Sequence, residues 1–300
     1  MKVPGRGGAW RAVAVAWAGV ASLAHLQFSI WLVAKRPTPF GVFSLSQLVP
    51  WVALVAGLWL LGRATRQCRV AGLRSRRTAA WLCWGLAVVA VDRTLTYSLN
   101  ELAHYPQYAL LAWLLARGLD PDRRRWVAGR VLVLATLLGL FDEAVQYVWI
   151  AAEYGDYFDV NDGVVNLLGA VLGLLLYYPP EAGRREPPGR PLGSAVAVAV
   201  VALALGAGLA SGRLQMAPPG EVPPGGVRVG EDGVARLYLQ REPGAYGGER
   251  RGFRRPTYRV LTPREGLGMA LLGLTLFGRL LAPALDPRGR TKGKDREEWT

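Results

Sequence analysis

The 300-residue chain combines 51% apolar residues with a formal net charge of +14 and has two cysteines. Apolar residues fall in long blocks and arginines fall between them. This segregation excludes an ordinary soluble domain, in which the two kinds would mix at helical or strand period. It also makes the positive charge topology-setting rather than a nucleic-acid surface, and no nucleic-acid partner is expected.

In chain order the apolar blocks are 10–33, 48–62, 78–99, 103–117, 130–150, 164–178, 194–210 and 265–282, about eight expected membrane helices. The first is too long for a signal-peptide core and reads as an uncleaved anchor. Arg63, Arg66, Arg69, Arg74, Arg76 and Arg77 lie between the second and third blocks. Arg117, Arg123, Arg124, Arg125 and Arg130 lie between the fourth and fifth, and Arg184, Arg185 and Arg190 between the sixth and seventh. Positive loops mark the cytoplasmic side, so these loops and both termini are expected there, in a multi-pass protein of the cell membrane. The 151–163 loop carries Glu153, Asp156, Asp159 and Asp162 with no Lys or Arg, and is expected outside. Cys68 and Cys83 have neither an oxidising location nor the spacing of a zinc site.

These features divide the chain into a helical membrane domain (1–178), a cytoplasmic Pro/Arg linker (179–193), a helix (194–210), an external insert (211–264), a last helix (265–282) and a disordered polar tail (283–300). In the insert, Val227–Val229 and Val234–Leu239 flank Gly230-Glu-Asp-Gly233, the pattern of a β-hairpin. Thr257–Leu261 is expected to add a third strand. The arginines at 250, 251, 254 and 255 are either solvated charge or contacts to anionic headgroups. The fold class is therefore an all-α polytopic membrane protein with a small external β-containing insert.

Four consecutive blocks place polar residues near their external ends. Asp92, Thr96 and Asn100 follow i, i+4, i+8 spacing, and Glu101, His104 and Tyr108 follow i, i+3, i+7, each set expected on one helix face. Glu143 and Gln146, with Asp142 beside them, close the fifth block, while Asp159, Asp162 and Asn166 open the sixth. Several chemistries fit. Glu143 with His104 would serve general acid–base catalysis. Glu143, Asp159, Asp162 and His104 would hold a divalent cation through hard ligands. Asp162 would cap the sixth helix, whose free N–H groups suit an anion. The groups would also fasten the bundle by bonding one another. Gly169-x-x-x-Gly173 is a close-packing motif, and His25, Gln27 and Ser29 are expected to face the bundle interior. No organic cofactor is called for, and the residue types leave open whether a metal is held.

Three segments carry a family resemblance: Glu101-Leu-Ala-His104-Tyr-Pro-Gln-Tyr108, Glu143-Ala-Val-Gln146, and Asp162-Gly-Val-Val-Asn166-Leu-Leu-Gly169 with Asp159 three residues before. Over residues 40–178 the sequence resembles the VanZ-like membrane proteins, whose namesake is associated with resistance to the glycopeptide teicoplanin. The family commonly has an Arg between the Gln and the Asp pair, where this chain has a longer loop with Gly155 and Asp156, and many members have Lys in place of Glu101. The resemblance implies a protein of the cell surface acting in envelope biology. The first expectation is a binder of a membrane lipid or lipid-linked envelope precursor at the outer leaflet, through Asp92, Asn100, Glu101, Tyr108, Gln146, Asp159, Asp162 and Asn166. The second is a hydrolase or transferase acting on a lipid-linked wall precursor through Glu143 and His104. The third is a structural subunit. No inverted repeat supports a transporter.

Overall fold

The computed structural model describes residues 6–39, 41–123, 126–150, 152–153, 155–179, 201, 203–217, 225–253 and 255–282. The linker, the start of the 194–210 block and the tail lie outside the described residues. Of that block, residue 201 and residues 203–210 are helical. The remaining helices are α1 (Arg6–Val33), α2 (Val49–Ala71), α3 (Arg76–Thr94), α4 (His104–Leu119), α5 (Ala128–Val145), α6 (Val160–Tyr177) and α7 (Pro263–Leu280).

Among the described residues, three helices are long and apolar enough to cross a membrane: Leu45–Ala71, Ala128–Ile150 and Val160–Tyr177. A fourth joins them if the two bent segments of α1, Gly7–Ala24 and Gln27–Val33, count as one span. The third, fourth and last blocks form helices that fall outside that set. The third expected block runs to residue 99, but its helix stops at Thr94. α4 has 16 residues. Leu58, Trp59 and Leu61 of α2 stand more than half exposed, an apolar surface unlike that of a soluble monomer.

α6 is the axis of the bundle. It is buried on nearly every side, and α4, α5 and α7 pack on it, with α1 behind α4. The approach of α4 depends on two glycines. A Cβ on Gly169 would lie 2.9 Å from the Tyr105 carbonyl and 2.9 Å from Tyr108 Cβ, and one on Gly173 would fall on the Ala109 carbonyl. Small residues let helix backbones meet in this way.

Polar groups lock the C-terminal end of α6. Arg77 gives Nη2–H bonds to the carbonyls of Leu175 and Tyr178 and an Nε–H bond of 2.9 Å to Gln67 Oε1. A cation on the free carbonyls at a helix C-terminus satisfies orphan acceptors and opposes the helix dipole. Asp120 accepts from the Trp126 N–H and the Tyr178 hydroxyl.

The insert carries short strands. β4 (Val227–Val229) pairs antiparallel with β5 (Ala235–Tyr238), with Arg228 opposite Arg236. Thr257–Arg259 (β7) is a strand, but it pairs with β6 (Glu249–Arg251) in a separate ladder. The third strand of the first sheet is β3 (Leu214–Gln215), parallel to β5. A further two-stranded pair, β1 (Arg36–Thr38) with β2 (Gly41–Phe43), follows α1.

The insert docks on the helices instead of standing apart. Phe158 N–H donates to the Leu239 carbonyl (2.8 Å), and Arg241 N–H to the Asp156 carbonyl (2.7 Å). Gly225, at φ +92, brings its backbone against the Val148 carbonyl, where a Cβ would sit at 2.9 Å. Asn161 joins three segments. Its Nδ2 donates to the carbonyls of Leu95 (2.9 Å) and Arg259 (2.8 Å), and its Oδ1 accepts from Leu261 N–H (3.0 Å).

Candidate functional site

The N-terminal ends of α4 and α6 and the C-terminal end of α5 meet at one end of the bundle, opposite the Arg77 lock. Three local features aim side chains into this corner. Asp159 is the N-cap of α6 and accepts from the Asn161 N–H at 2.9 Å. The expected cap, Asp162, lies in the first turn of the helix instead and points into the corner, because the helix begins four residues earlier than its apolar run. α5 ends in a π-helical turn, Gln146–Ile150. Such turns re-aim the residues that follow them and are common at functional sites. The third feature is a 3-10 turn, Asn100–Ala103, that precedes α4.

That turn separates residues expected on shared faces. Glu101 is not on α4 with His104 and Tyr108, and its carboxylate accepts from Tyr97 and Ser98 N–H groups at 2.8–3.0 Å. Thr96 and Asn100 lie beyond the end of α3, off the face that carries Asp92. Gln27 on α1 is exposed, against expectation; the side chain of His25 lies outside the described residues.

At the centre is a buried network. Asn166 Nδ2 donates to Glu143 Oε1 at 3.3 Å, and Asn166 Oδ1 lies 2.7 Å from His104 Nδ1. The bond to Glu143 fixes the amide orientation, so Oδ1 faces the imidazole and the His104 Nδ1–H is the donor. His104 Nε2 then faces Asp162 Oδ2 at 3.6 Å. Tyr108 lies one turn along, its ring stacked on His104 at 6.2 Å, and its hydroxyl donates to Asp142 Oδ2 at 2.8 Å. His104, Asp142, Glu143 and Asn166 are each at most 5% exposed.

Above the network is a cavity of about 620 Å³. Glu101, Glu143, Asp159 and Asp162 line its floor, with Gln146 beside them. Its wall includes Tyr97, Tyr147, Tyr157 and Tyr258, and the insert adds Glu242, Arg250 and Arg251 at the rim. The structure thus gathers Glu101, Glu143, Gln146, Asp159 and Asp162 on the cavity, with His104 and Asn166 directly beneath. It leaves three expected residues off the lining. Asp92 pairs with Arg255 at 2.7 Å, Tyr108 is turned to Asp142, and the Asn100 backbone N–H bonds Ser98.

The charge is unevenly distributed. Among the described residues no Lys or Arg pairs with Glu101, Glu143, Asp159 or Asp162. Burial, then the charges of Asp162 and Asp159, push the Glu101 carboxyl up to about 9 against its backbone hydrogen bonds. Burial, then Asp162, pushes Asp159 up to about 7. At the rim the insert does supply cations: Arg250 pairs with Asp156 at 3.4 Å and with Glu242 at 3.8 Å. Solvation alone therefore does not describe Arg250 or Arg255. Arg254 lies outside the described residues.

Sequence reasoning missed Asn161, the aromatic wall and the part played by the insert. Tyr157 and Tyr258 share a hydroxyl–hydroxyl bond of 3.0 Å, and Arg241 lies 4.4 Å over the Tyr147 ring. A run of tyrosines and arginines in the insert was the only signal, and no local pattern says where such a segment docks.

Apolar helices around a polar site open at one end define a membrane protein with a helical core. Within it, residues 75–179, from the start of α3 through the end of α6, match the VanZ/LLP1 family model and form a VanZ/LLP1 domain. The domain holds the whole buried network, while α1, α2, the insert and α7 lie outside it. Comparisons with curated proteins and with solved structures gave no match.

Proposed function

We propose that this VanZ-like protein is a multi-pass protein of the cytoplasmic membrane, with both termini inside and the cavity facing outward. There it binds an amphiphilic or lipid-linked envelope molecule in a way that alters glycopeptide tolerance. The supporting observation is the cavity itself. It lies at the end of the bundle away from the arginines of residues 63–77 and from Arg117, Arg123 and Arg130, and it combines a carboxylate floor with tyrosine walls beside apolar helices. Polar groups that fix orientation, set among aromatic surfaces, suit a ligand with a polar head and an apolar tail. Carboxylates kept at the edge of apolar spans are costly, which favours a role in binding over a purely structural one.

One observation favours an enzyme as a second reading. Asn166 holds Glu143 and His104 in one hydrogen-bonded line, the arrangement a hydrolase or transferase acting on a lipid-linked wall precursor would need. Mass-spectrometric profiles of lipid-linked precursors separate the two. A deletion strain is restored with wild type or with Glu143→Gln at matched membrane levels. A precursor that accumulates in the deletion and persists with Glu143→Gln selects the enzyme. Unchanged profiles with shifted teicoplanin sensitivity select the binder. Loss of both effects rejects the outward cavity as the working site.

A further inference from the structure

We infer that the cavity floor is a divalent-cation site, with His104 Nε2, Glu143 and Asp162 as its ligands. One ligand atom from each of the three lies within 4.8 Å of the others. Asp162 and His104 already stand 3.6 Å apart, close to the roughly 3.3–3.5 Å edge of a tetrahedral site with bonds of about 2.0–2.1 Å.

Two further observations point to a cation. The first is the tautomer. Asn166 is oriented by its bond to Glu143 and takes the proton on His104 Nδ1, so Nε2 presents a lone pair toward the Asp162 carboxylate. Two electron-rich faces opposed at this distance repel unless a proton or a metal cation lies between them. A metal-bound histidine has the same arrangement, its other ring nitrogen held by a second-shell acceptor that fixes the ring. The second is the unused acceptors. Glu143 is 5% exposed and lines the cavity, and among the described residues only its Oε1 accepts a hydrogen bond. Asp162 Oδ1 is buried with no hydrogen-bond partner. A buried carboxylate without a cation or a donor is expensive, and a metal would satisfy both oxygens. One nitrogen with two carboxylates suits Mn²⁺ or Zn²⁺ better than an all-oxygen ion. The inference rests on the cavity floor and holds whether or not a lipid fills the space above it.

The test uses the full chain in detergent micelles, stripped with chelator, and the metal ion alone. Titration with Mn²⁺ followed by electron paramagnetic resonance should show one saturable ion per chain, displaced by Zn²⁺, which binds such ligands more tightly. Electron–nuclear double resonance on the bound Mn²⁺ should show coupling to a directly bound nitrogen. Glu143→Gln and Asp162→Asn should each weaken binding by more than about tenfold, while Asp232→Asn, on the exposed pair with Arg236, should not change it. The inference is overturned if wild type shows no saturable binding, or if bound Mn²⁺ shows no nitrogen coupling. It is equally overturned if folded Glu143→Gln and Asp162→Asn bind as wild type does. The nitrogen coupling is read on wild type, so it decides the matter even if a variant fails to fold.

Discussion

Gly169→Ala tests whether α4 and α6 are set by backbone contact, and it is best read beside Gly85→Ala. Both glycines lie in mid-helix, so each substitution gains the same intrinsic helix preference, about 0.8–1.0 kcal/mol. Their surroundings differ. A Cβ at Gly85 meets nothing within 4 Å, whereas one at Gly169 meets the Tyr105 carbonyl at 2.9 Å, Tyr108 Cβ at 2.9 Å and the His104 carbonyl at 3.0 Å. None of these is the far end of a flexible side chain, so α4 itself must move. Overpacking of this kind costs about 1–3 kcal/mol. The helix gain cancels between the two variants, which leaves that cost as their expected difference. Thermal melting of both proteins in the same detergent should rank Gly85→Ala at or above wild type and Gly169→Ala below it. Because α4 carries His104, Gly169→Ala should also weaken Mn²⁺ binding. Equal melting of the two variants would refute the close-contact account of α6.

Other outcomes follow from single contacts. Asn161→Ala strands the Leu95 and Arg259 carbonyls and the Leu261 N–H, at roughly 1–3 kcal/mol for each group that water does not reach. Hydrogen exchange should then rise across 255–262, and unchanged exchange would show that the insert is held elsewhere. Arg77→Ala removes the bonds to the α6 C-terminal carbonyls and should lower the melting temperature while leaving Mn²⁺ affinity unchanged, since the lock is at the other end of the helix. Stability should also depend on pH. Asp159 is raised from an ordinary 3.8 to about 7, chiefly by burial, so the folded chain keeps a proton that the unfolded chain releases. That stabilisation is complete below pH ~4 and is lost as pH rises through 7, at up to ~1.4 kcal/mol per pH unit. Glu101, raised to about 9 by burial and by Asp162, extends the decline in the same direction. Metal-free protein that melts higher at pH 8 than at pH 4.5 would contradict this.

The helices were legible because apolar blocks declare them, although the arginines did not mark their ends: α2 runs on through Arg63, Arg66 and Arg69 to Ala71, and α4 takes in Arg117. The polar cluster was legible for a related reason: His104, Glu143, Asp162 and Asn166 stand out where neighbouring residues are apolar. Helix starts were less visible. The 3-10 turn before α4 and the early start of α6 at Val160 are set by Glu101 and Asp159, which bond nearby N–H groups and look in sequence like any other site acids. The docking of the insert was not legible at all. Asp92 and Arg255 are 163 residues apart, and Asn161 and Arg259 are 98 apart. Nothing local distinguishes an arginine that will reach a carboxylate from one that will meet water. Asn161, between two candidate acids, looked like part of a helix start and proved to be the junction of three segments.

The two ends of α6 are built to opposite rules. At its C-terminus every exposed acceptor that Arg77 can reach is met by a charged donor, and tyrosine and tryptophan close the end. At its N-terminus carboxylates converge with no cation against the floor among the described residues, an arrangement that costs stability in the metal-free protein. If that cost is retained for binding, removing one charge should make the empty protein more stable while making it a poorer binder, the usual sign of a site that trades stability for function. Glu143→Gln is the sharpest case, because the amide keeps the shape and can still accept from Asn166 Nδ2. Metal-free Glu143→Gln should melt higher than metal-free wild type by the equivalent of about 1–3 kcal/mol. Saturating Mn²⁺ should raise wild type and leave the variant nearly unmoved. A purely structural network predicts the reverse in the metal-free state: removing the carboxylate would weaken a bond the bundle needs, and the variant would melt lower. Melting the two proteins after chelation, then again with Mn²⁺, decides between these accounts of the floor.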